Sequence, residues 1–416
     1  MNERPWYIEK IRPWMGQPVI KVLSGMRRSG KSCLLELLGQ ELLSQGRRAD
    51  QLLILNMESL ENAELATAES LYRYVKSRFP QADLQQTLMV DEVQEVEGWE
   101  RCVNSLLAEN WCDLVVTGSN ANLFSSGLAT LLAGRHVVIP VYPLSFREFC
   151  DFRSALPGEE TLLLWLRWGG LPGLHRLGFE RMTSESPELG RDYLGAILDT
   201  VVLKDIVERH KVRDPAFLTL VLRFAVGNLG NLFSAKSIAD WLKSEHRSLA
   251  VETVQNYVQY LSDAQLVYPV QRYDIKGKAA LAYQEKLFLT DLGLRHVLVP
   301  WRIDDIGGML ENVVYLELIR RGWRVSVGKS GDREVDFVAE RNGEVQYVQV
   351  AYLLPNAATT DREFSVLEDI RDHHPKFVLS LDRFNSGGRN GIKQHYLPDW
   401  LYSSPDFPPG PPVKAK

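Results

Sequence analysis

Val19-Ile20-Lys21-Val22-Leu23-Ser24-Gly25-Met26-Arg27-Arg28-Ser29-Gly30-Lys31-Ser32-Cys33 passes from an apolar run through a turn bounded by glycines into a leucine-rich stretch. Residues 25–32 satisfy GxxxxGK[ST] in full. The apolar run reads as a strand. Residues 33–45, with Leu34, Leu35, Leu38 and Leu42 near helical spacing, read as the helix that follows. A strand, a glycine-rich turn and a helix N-terminus together surround phosphate oxygens with backbone N–H groups. Gly30 permits close approach, Lys31 places a positive charge at the β- and γ-phosphates, and the Ser32 hydroxyl is a ligand for Mg²⁺. The nucleotide-binding set is therefore Gly25, Met26, Arg27, Arg28, Ser29, Gly30, Lys31, Ser32 and Cys33.

Further strands follow at residues 52–56, 88–90, 114–117 and 137–142, alternating with helical patterns. That alternation predicts a parallel sheet covered on both faces, an α/β fold. Leu88-Met89-Val90 ends in Asp91-Glu92. Asp91 is the expected metal residue and Glu92 the general base for the attacking water; the alternative is a solvated acidic turn. Leu114 to Thr117 ends in Gly118-Ser119-Asn120, where Asn120, with Ser119 as backup, would orient the water or touch the γ-phosphate. The same residues also suit an ordinary turn. Arg135 is a candidate for stabilising charge on the γ-phosphate, in cis or across a subunit contact, against the alternative of a solvated surface arginine.

The 416 residues are 45% hydrophobic and 24% charged, with net charge −5 and four cysteines that form no CxxC pair. This balance fits a soluble, multidomain, cytoplasmic chain without a disulfide framework or a zinc site. No run of about 18 apolar residues suggests a membrane span. The charge does not advertise nucleic-acid binding by the whole chain.

Residues 19–149 resemble the prokaryotic AAA+ ATPases whose loop reads G-x-R-R-x-G-K-[ST]. The likeness rests also on Met89-Val90-Asp91-Glu92-Val93-Gln94, on Thr117-Gly118-Ser119-Asn120, and on Leu132-Ala133-Gly134-Arg135 leading to Tyr142-Pro143-Leu144-Ser145-Phe146-Arg147-Glu148-Phe149. The resemblance implies that Asp91 and Glu92 form the Walker B pair, that Asn120 stands at sensor 1, and that the cofactors are ATP and Mg²⁺. It also implies a C-terminal region with a winged helix and a nuclease-like module.

The expected organisation is an AAA+-like core over 1–150, a helical lid or linker over 151–228, a winged-helix-like domain over 229–290, a nuclease-like α/β domain over 291–400, and a disordered proline-rich tail over 401–416. Two helices and a hairpin within 234–289 suggest the winged helix. Its second helix carries Gln255, Asn256 and Gln259 but no Lys or Arg. The last module resembles the PD-(D/E)xK nuclease fold. On that resemblance Glu311 matches the helix acid and Asp336 the first strand acid, with Glu317 in reserve. Gln349 stands where a second acid is expected and Ala351 where a lysine is expected. Loss of that lysine argues against cleavage.

The expected function is Mg-dependent ATP hydrolysis that moves the C-terminal modules. The alternatives are an ATP-regulated DNA-binding protein or nuclease, and a non-catalytic scaffold that binds ATP. Candidate partners beyond ATP are DNA at the C-terminal half and a second copy or another protein.

Overall fold

The computed structural model describes residues 4–119, 132, 134–383 and 388–403. The chain divides into two compact units. The first holds residues 1–142 with 263–265, and the second holds 143–262 and 266–416.

The first unit is built on five parallel strands: β1 (Ile20–Ser24), β2 (Leu52–Asn56), β3 (Thr87–Asp91), β4 (Asp113–Gly118) and β5 (His136–Pro140), in the order β2-β3-β4-β1-β5. β1, β3 and β4 are buried at every position. Strands covered on both faces need apolar residues at successive positions, which explains Val22-Leu23, Leu88-Met89-Val90 and Leu114-Val115-Val116. Val22, Val90 and Val116 pack on one face with Leu71, Val75, Val103 and Leu106 of the helices Ala68–Arg78 and Trp99–Ala108. Leu23, Met89 and Val115 pack on the other with Leu34 and Leu38 of the helix Lys31–Ser44 and Tyr7 and Ile11 of the helix Pro5–Ile11. Each such fully buried side chain stabilises by about 1.5–3 kcal/mol.

One charged residue interrupts this core. Lys21 lies on β1 with its side chain fully buried, ion-paired to Asp113 at the start of β4. Its Nζ also donates to Val19 O at 2.9 Å.

The second unit starts with the helices Phe146–Arg153, Glu159–Trp168, Pro187–Thr200 and Pro215–Gly227. The expected first domain, drawn to 150, therefore reaches past the unit's end at Tyr142. Two further helices, Ala235–Ser244 and Val251–Asp263, precede the hairpin of β7 (Val267–Asp274) and β8 (Ala279–Leu289). β6 (Leu232–Phe233) pairs with β8. The helices Leu292–Leu298 and Ile306–Arg320 lead to β9 (Arg324–Ser330), β10 (Arg333–Arg341) and β11 (Glu344–Ala351). The helix Ala357–Glu368, β12 (Lys376–Ser380), β13 (Lys393–Tyr396) and the helix Leu397–Tyr402 follow.

These strands form one mixed sheet in the order β13-β12-β11-β10-β9-β7-β8-β6. β7 lies parallel to β9, with Arg272 opposite Val327 and Tyr273 opposite Gly328. The sheet thus runs across the boundary expected at 290. Leu401 and Tyr402, assigned to the tail by sequence, complete a helix, and residues 404–416 lie outside the described residues.

Asp291 caps the helix Leu292–Leu298 and accepts hydrogen bonds from Gly293 N at 2.9 Å and Gly170 N at 2.6 Å. A Cβ at Gly169 would lie 1.9 Å from Asp291 Oδ1, and Gly169 has φ +75°. Only glycine fits.

Candidate functional site

Gly25 follows the end of β1, and Lys31 opens the next helix behind Gly30, whose φ is +101°. Gly25 is crowded: a Cβ there would meet Val141 O at 2.2 Å and Ser29 Oγ at 2.8 Å. Ser29 is buried, and its Oγ has no hydrogen-bond partner among the described residues. Lys31 is buried too, and its Nζ donates to Gly25 O at 3.0 Å and Met26 O at 3.3 Å. Met26 turns its side chain into the protein, Arg27 is ion-paired with Glu58, Arg28 is exposed with φ +68°, and Cys33 is a half-buried free thiol.

A residue absent from the sequence-based set braces this loop. Arg4 is 3% exposed and donates to Ser29 O and to Tyr142 O, both at 3.0 Å. Its guanidinium stands over the Tyr7 ring, and Tyr7 OH accepts from Tyr142 N at 2.9 Å.

Asp91 ends β3, two strands from β1. Thr117 Oγ1 donates to Asp91 Oδ1 at 2.6 Å, and Ser32 also hydrogen-bonds the carboxylate. Burial pushes the Asp91 carboxyl above its ordinary pKa, with the hydrogen bonds from Thr117 and Ser32 pulling it down. Glu92 takes φ +52°, a conformation uncommon for a residue with a side chain and frequent at functional sites. Its N–H donates to Thr117 Oγ1 at 2.9 Å. Its carboxylate lies 3.6 Å from Lys31 Nζ and accepts a hydrogen bond from Gln94. Three strand ends thus bring Lys31, Ser32, Asp91, Glu92 and Thr117 together at the carboxyl edge of the sheet, where open α/β sheets bind ligands.

Ser119, just past β4 at the same edge, is buried, and its Oγ is without a partner among the described residues. Asn120 lies outside the described residues. Arg135 is not brought to the loop. β5 runs parallel to β1 with His136 beside Ile20, so Arg135 stands, exposed, where β1 begins, a strand length of roughly 16 Å from its far end. The expectation that it acts in cis on the γ-phosphate is corrected by this strand direction.

Residues 17–150 match the family model described as an AAA domain. An uncharacterised protein of Haemophilus influenzae is 36% identical over 407 residues, covering 96% of this chain and 98% of that one. The chain belongs to one family with that protein, and its residues 17–150 carry a P-loop AAA domain. A second relative, the uncharacterised protein MJ1544 of Methanocaldococcus jannaschii, is 29% identical over 410 residues, covering 92% of this chain and 88% of that one. Beyond the AAA domain, residues 159–305 match a domain of unknown function. Among solved structures, the Walker-type ATPase PABY2304 of Pyrococcus abyssi is 18% identical, over 72% of this chain and 96% of its own, with a TM-score of 0.48. At that distance it adds nothing to the assignment.

Apart from the AAA domain, a second polar cluster lies in the sheet of the second unit. Lys286 on β8 is 1% exposed. Its Nζ lies 2.7 Å from Glu311 Oε2, 2.7 Å from Glu334 Oε1 and 3.9 Å from Asp336 Oδ1. Val350 N donates to Asp336 Oδ2 at 2.7 Å. Gln349 accepts from Asp336 N at 3.3 Å and donates to Glu363 Oε2 at 3.1 Å. Glu311, Asp336 and Gln349 thus lie in one cluster. Lys286, Glu334 and Glu363 join them without having been singled out. Burial opposes the charge on Lys286, but Glu311, Asp336 and Glu334 outweigh it and raise its pKa. Burial lifts the Glu311 and Asp336 carboxyls as well.

Glu317 is elsewhere employed. It is buried and holds Arg320 Nη1 and Arg321 Nε, both at 2.8 Å, so it is a structural ion pair and not a reserve ligand. No helix among the described residues is long and apolar enough to cross a membrane.

Proposed function

We propose that the AAA domain hydrolyses ATP with Mg²⁺ and that turnover moves the second unit. The carrying observation is the convergence at one sheet edge of Lys31, Ser32, Asp91 and Glu92, cross-linked by the Thr117 hydroxyl. Lys31 exchanges its bonds to two loop carbonyls for phosphate oxygens. The buried Ser29 hydroxyl gives its unused donor to the same phosphates. Ser32 and Asp91, an alcohol and a carboxylate already joined, are the hard oxygen donors that suit Mg²⁺, which would neutralise charge along the phosphates. Glu92, steadied by Gln94, accepts the proton of the attacking water.

The chain path supports the coupling. Residues 263–265, which follow the helix Val251–Asp263, group with the first unit. Gln265 Nε2 donates to Ser24 Oγ at 2.6 Å, on the residue that precedes the loop.

Phosphate release by wild type and Glu92→Gln tests the chemistry. Steady turnover is expected in wild type, with retained ATP binding and turnover reduced by a factor on the order of 100 or more in the variant. Equal turnover removes Glu92 from the mechanism. Lys31→Ala is expected to abolish binding of a fluorescent ATP analogue. For the coupling, hydrogen exchange in residues 267–289 is expected to differ between ATP-bound Glu92→Gln and the ADP-bound protein. Identical exchange rejects it.

A further inference from the structure

We propose that the Lys286 ammonium stands in the cation position of the second unit's carboxylate cluster, so that the charge of this cluster is partly offset from within and it takes no divalent metal. A metal of this kind needs several hard oxygens free to converge on it, at about 2.0–2.6 Å for Mg²⁺ or Ca²⁺. Here at least one oxygen of each acid is already committed. Glu311 and Glu334 each turn one oxygen to Lys286 Nζ at 2.7 Å, a charge-assisted hydrogen-bond distance. One oxygen of Asp336 is taken by the backbone N–H of Val350, and the other faces the same ammonium at 3.9 Å. The Gln349 carbonyl is used by Asp336 N, and its amide is turned toward Glu363. Among the described residues, no three His, Cys, Asp or Glu side chains are arranged to hold a metal ion.

Lys286 does not reproduce a nuclease lysine on the strand of the second acid. It arrives from β8, from the far side of β7 and β9 in the sheet, and its side chain is as buried as the core around it. An ammonium in this place does what a metal would do for the fold: it offsets three carboxylates where water is excluded. It brings no bound water and no open coordination position, the two things metal-assisted phosphodiester cleavage requires. The assignment is independent of the ATPase reading, because no residue of the AAA domain enters it.

The test is Mn²⁺ binding to the full chain without nucleotide, read from water-proton relaxation. Wild type, Asp336→Asn and Glu334→Gln are expected to bind Mn²⁺ alike, any weak sites elsewhere being common to all three. Lys286→Met, which keeps the side-chain bulk and removes the charge, is expected to gain a site at least about tenfold tighter. The gain should disappear in Lys286→Met combined with Asp336→Asn. A wild-type site lost in either Asp336→Asn or Glu334→Gln overturns the proposal, as does a folded Lys286→Met that gains none. If Lys286→Met does not fold, the comparison of wild type with the two carboxylate variants still decides.

Discussion

The Thr117 hydroxyl donates to Asp91 Oδ1 at 2.6 Å, and Thr117 Oγ1 itself accepts the backbone N–H of Glu92 at 2.9 Å. One side chain of β4 thereby fixes Asp91 at the end of β3 and the backbone of Glu92 just beyond it in its left-handed conformation. Thr117→Val keeps the shape and removes both bonds. Stability is expected to fall by about 1–3 kcal/mol, the cost of leaving buried polar groups unpaired. Turnover should fall by a factor on the order of ten or more while ATP affinity changes little. Asp91 also loses a bond that holds its pKa down, so the acid limb of the rate profile should move to higher pH. Denaturant melts and pH-dependent phosphate release check these outcomes.

Gly25→Ala puts a methyl group 2.2 Å from Val141 O, a backbone atom that cannot swing aside. The loop must shift, and ATP affinity is expected to fall by a factor on the order of ten or more. Gly158, with extended backbone and nothing within 4 Å of a Cβ, is the matched control. Gly158→Ala should leave affinity unchanged. Equilibrium binding of a fluorescent ATP analogue reads both.

Lys21→Met is expected to cost about 3–5 kcal/mol, because it leaves Asp113 buried without its counter-charge. The double change Lys21→Met with Asp113→Leu should cost less than the single one, although the bond from Gly16 N to Asp113 Oδ2 is lost with it. Chemical denaturation of both variants measures the difference. A double variant no more stable than Lys21→Met would show that the pair is not what matters.

Burial raises the Asp291 carboxyl to about 7, against backbone hydrogen bonds that lower it. Between its unfolded value near 4 and about 7, the folded protein holds the proton more tightly than the unfolded chain. This contribution is complete below pH 4 and is lost as pH rises through 7, over a range on the order of a few kcal/mol. Asp291→Asn cannot titrate, so its melting temperature should fall less steeply from pH 5 to pH 8 than that of wild type. Parallel slopes would place the titration elsewhere.

The phosphate-binding loop is legible in sequence because its chemistry is contiguous: residues 25–32 need only one another and the strand and helix that flank them. Asp91 and Glu92 are legible for a similar reason, standing where an apolar strand stops. Thr117 is harder. It lies in a string whose glycine, serine and asparagine all suit a turn, while its own role depends on β4 lying beside β3. An arginine that precedes its strand in a parallel sheet stands at the edge away from the loop, which keeps Arg135 from this chain's own γ-phosphate position and leaves the reading across a subunit contact as it was. Lys21 carries a signal that does exist in sequence, a lysine inside an apolar strand, whereas Lys286 closes the polar triplet Gln284-Glu285-Lys286 and carries none. The signal demands a buried acid but does not say which. Glu311, Glu334 and Asp113 are identified only once strands distant in the chain are adjacent.

The parallel seam between β7 and β9 has a practical consequence. A fragment beginning at residue 291 would leave the bonding edge of β9 bare at Val327 and would strip Glu311 and Asp336 of the lysine they share. Such a fragment should precipitate, since an unprotected strand edge recruits other chains. Among the described residues the hairpin and the strands beyond it are hydrogen-bonded to one another along that seam, and the proposed coupling would therefore have to move them together.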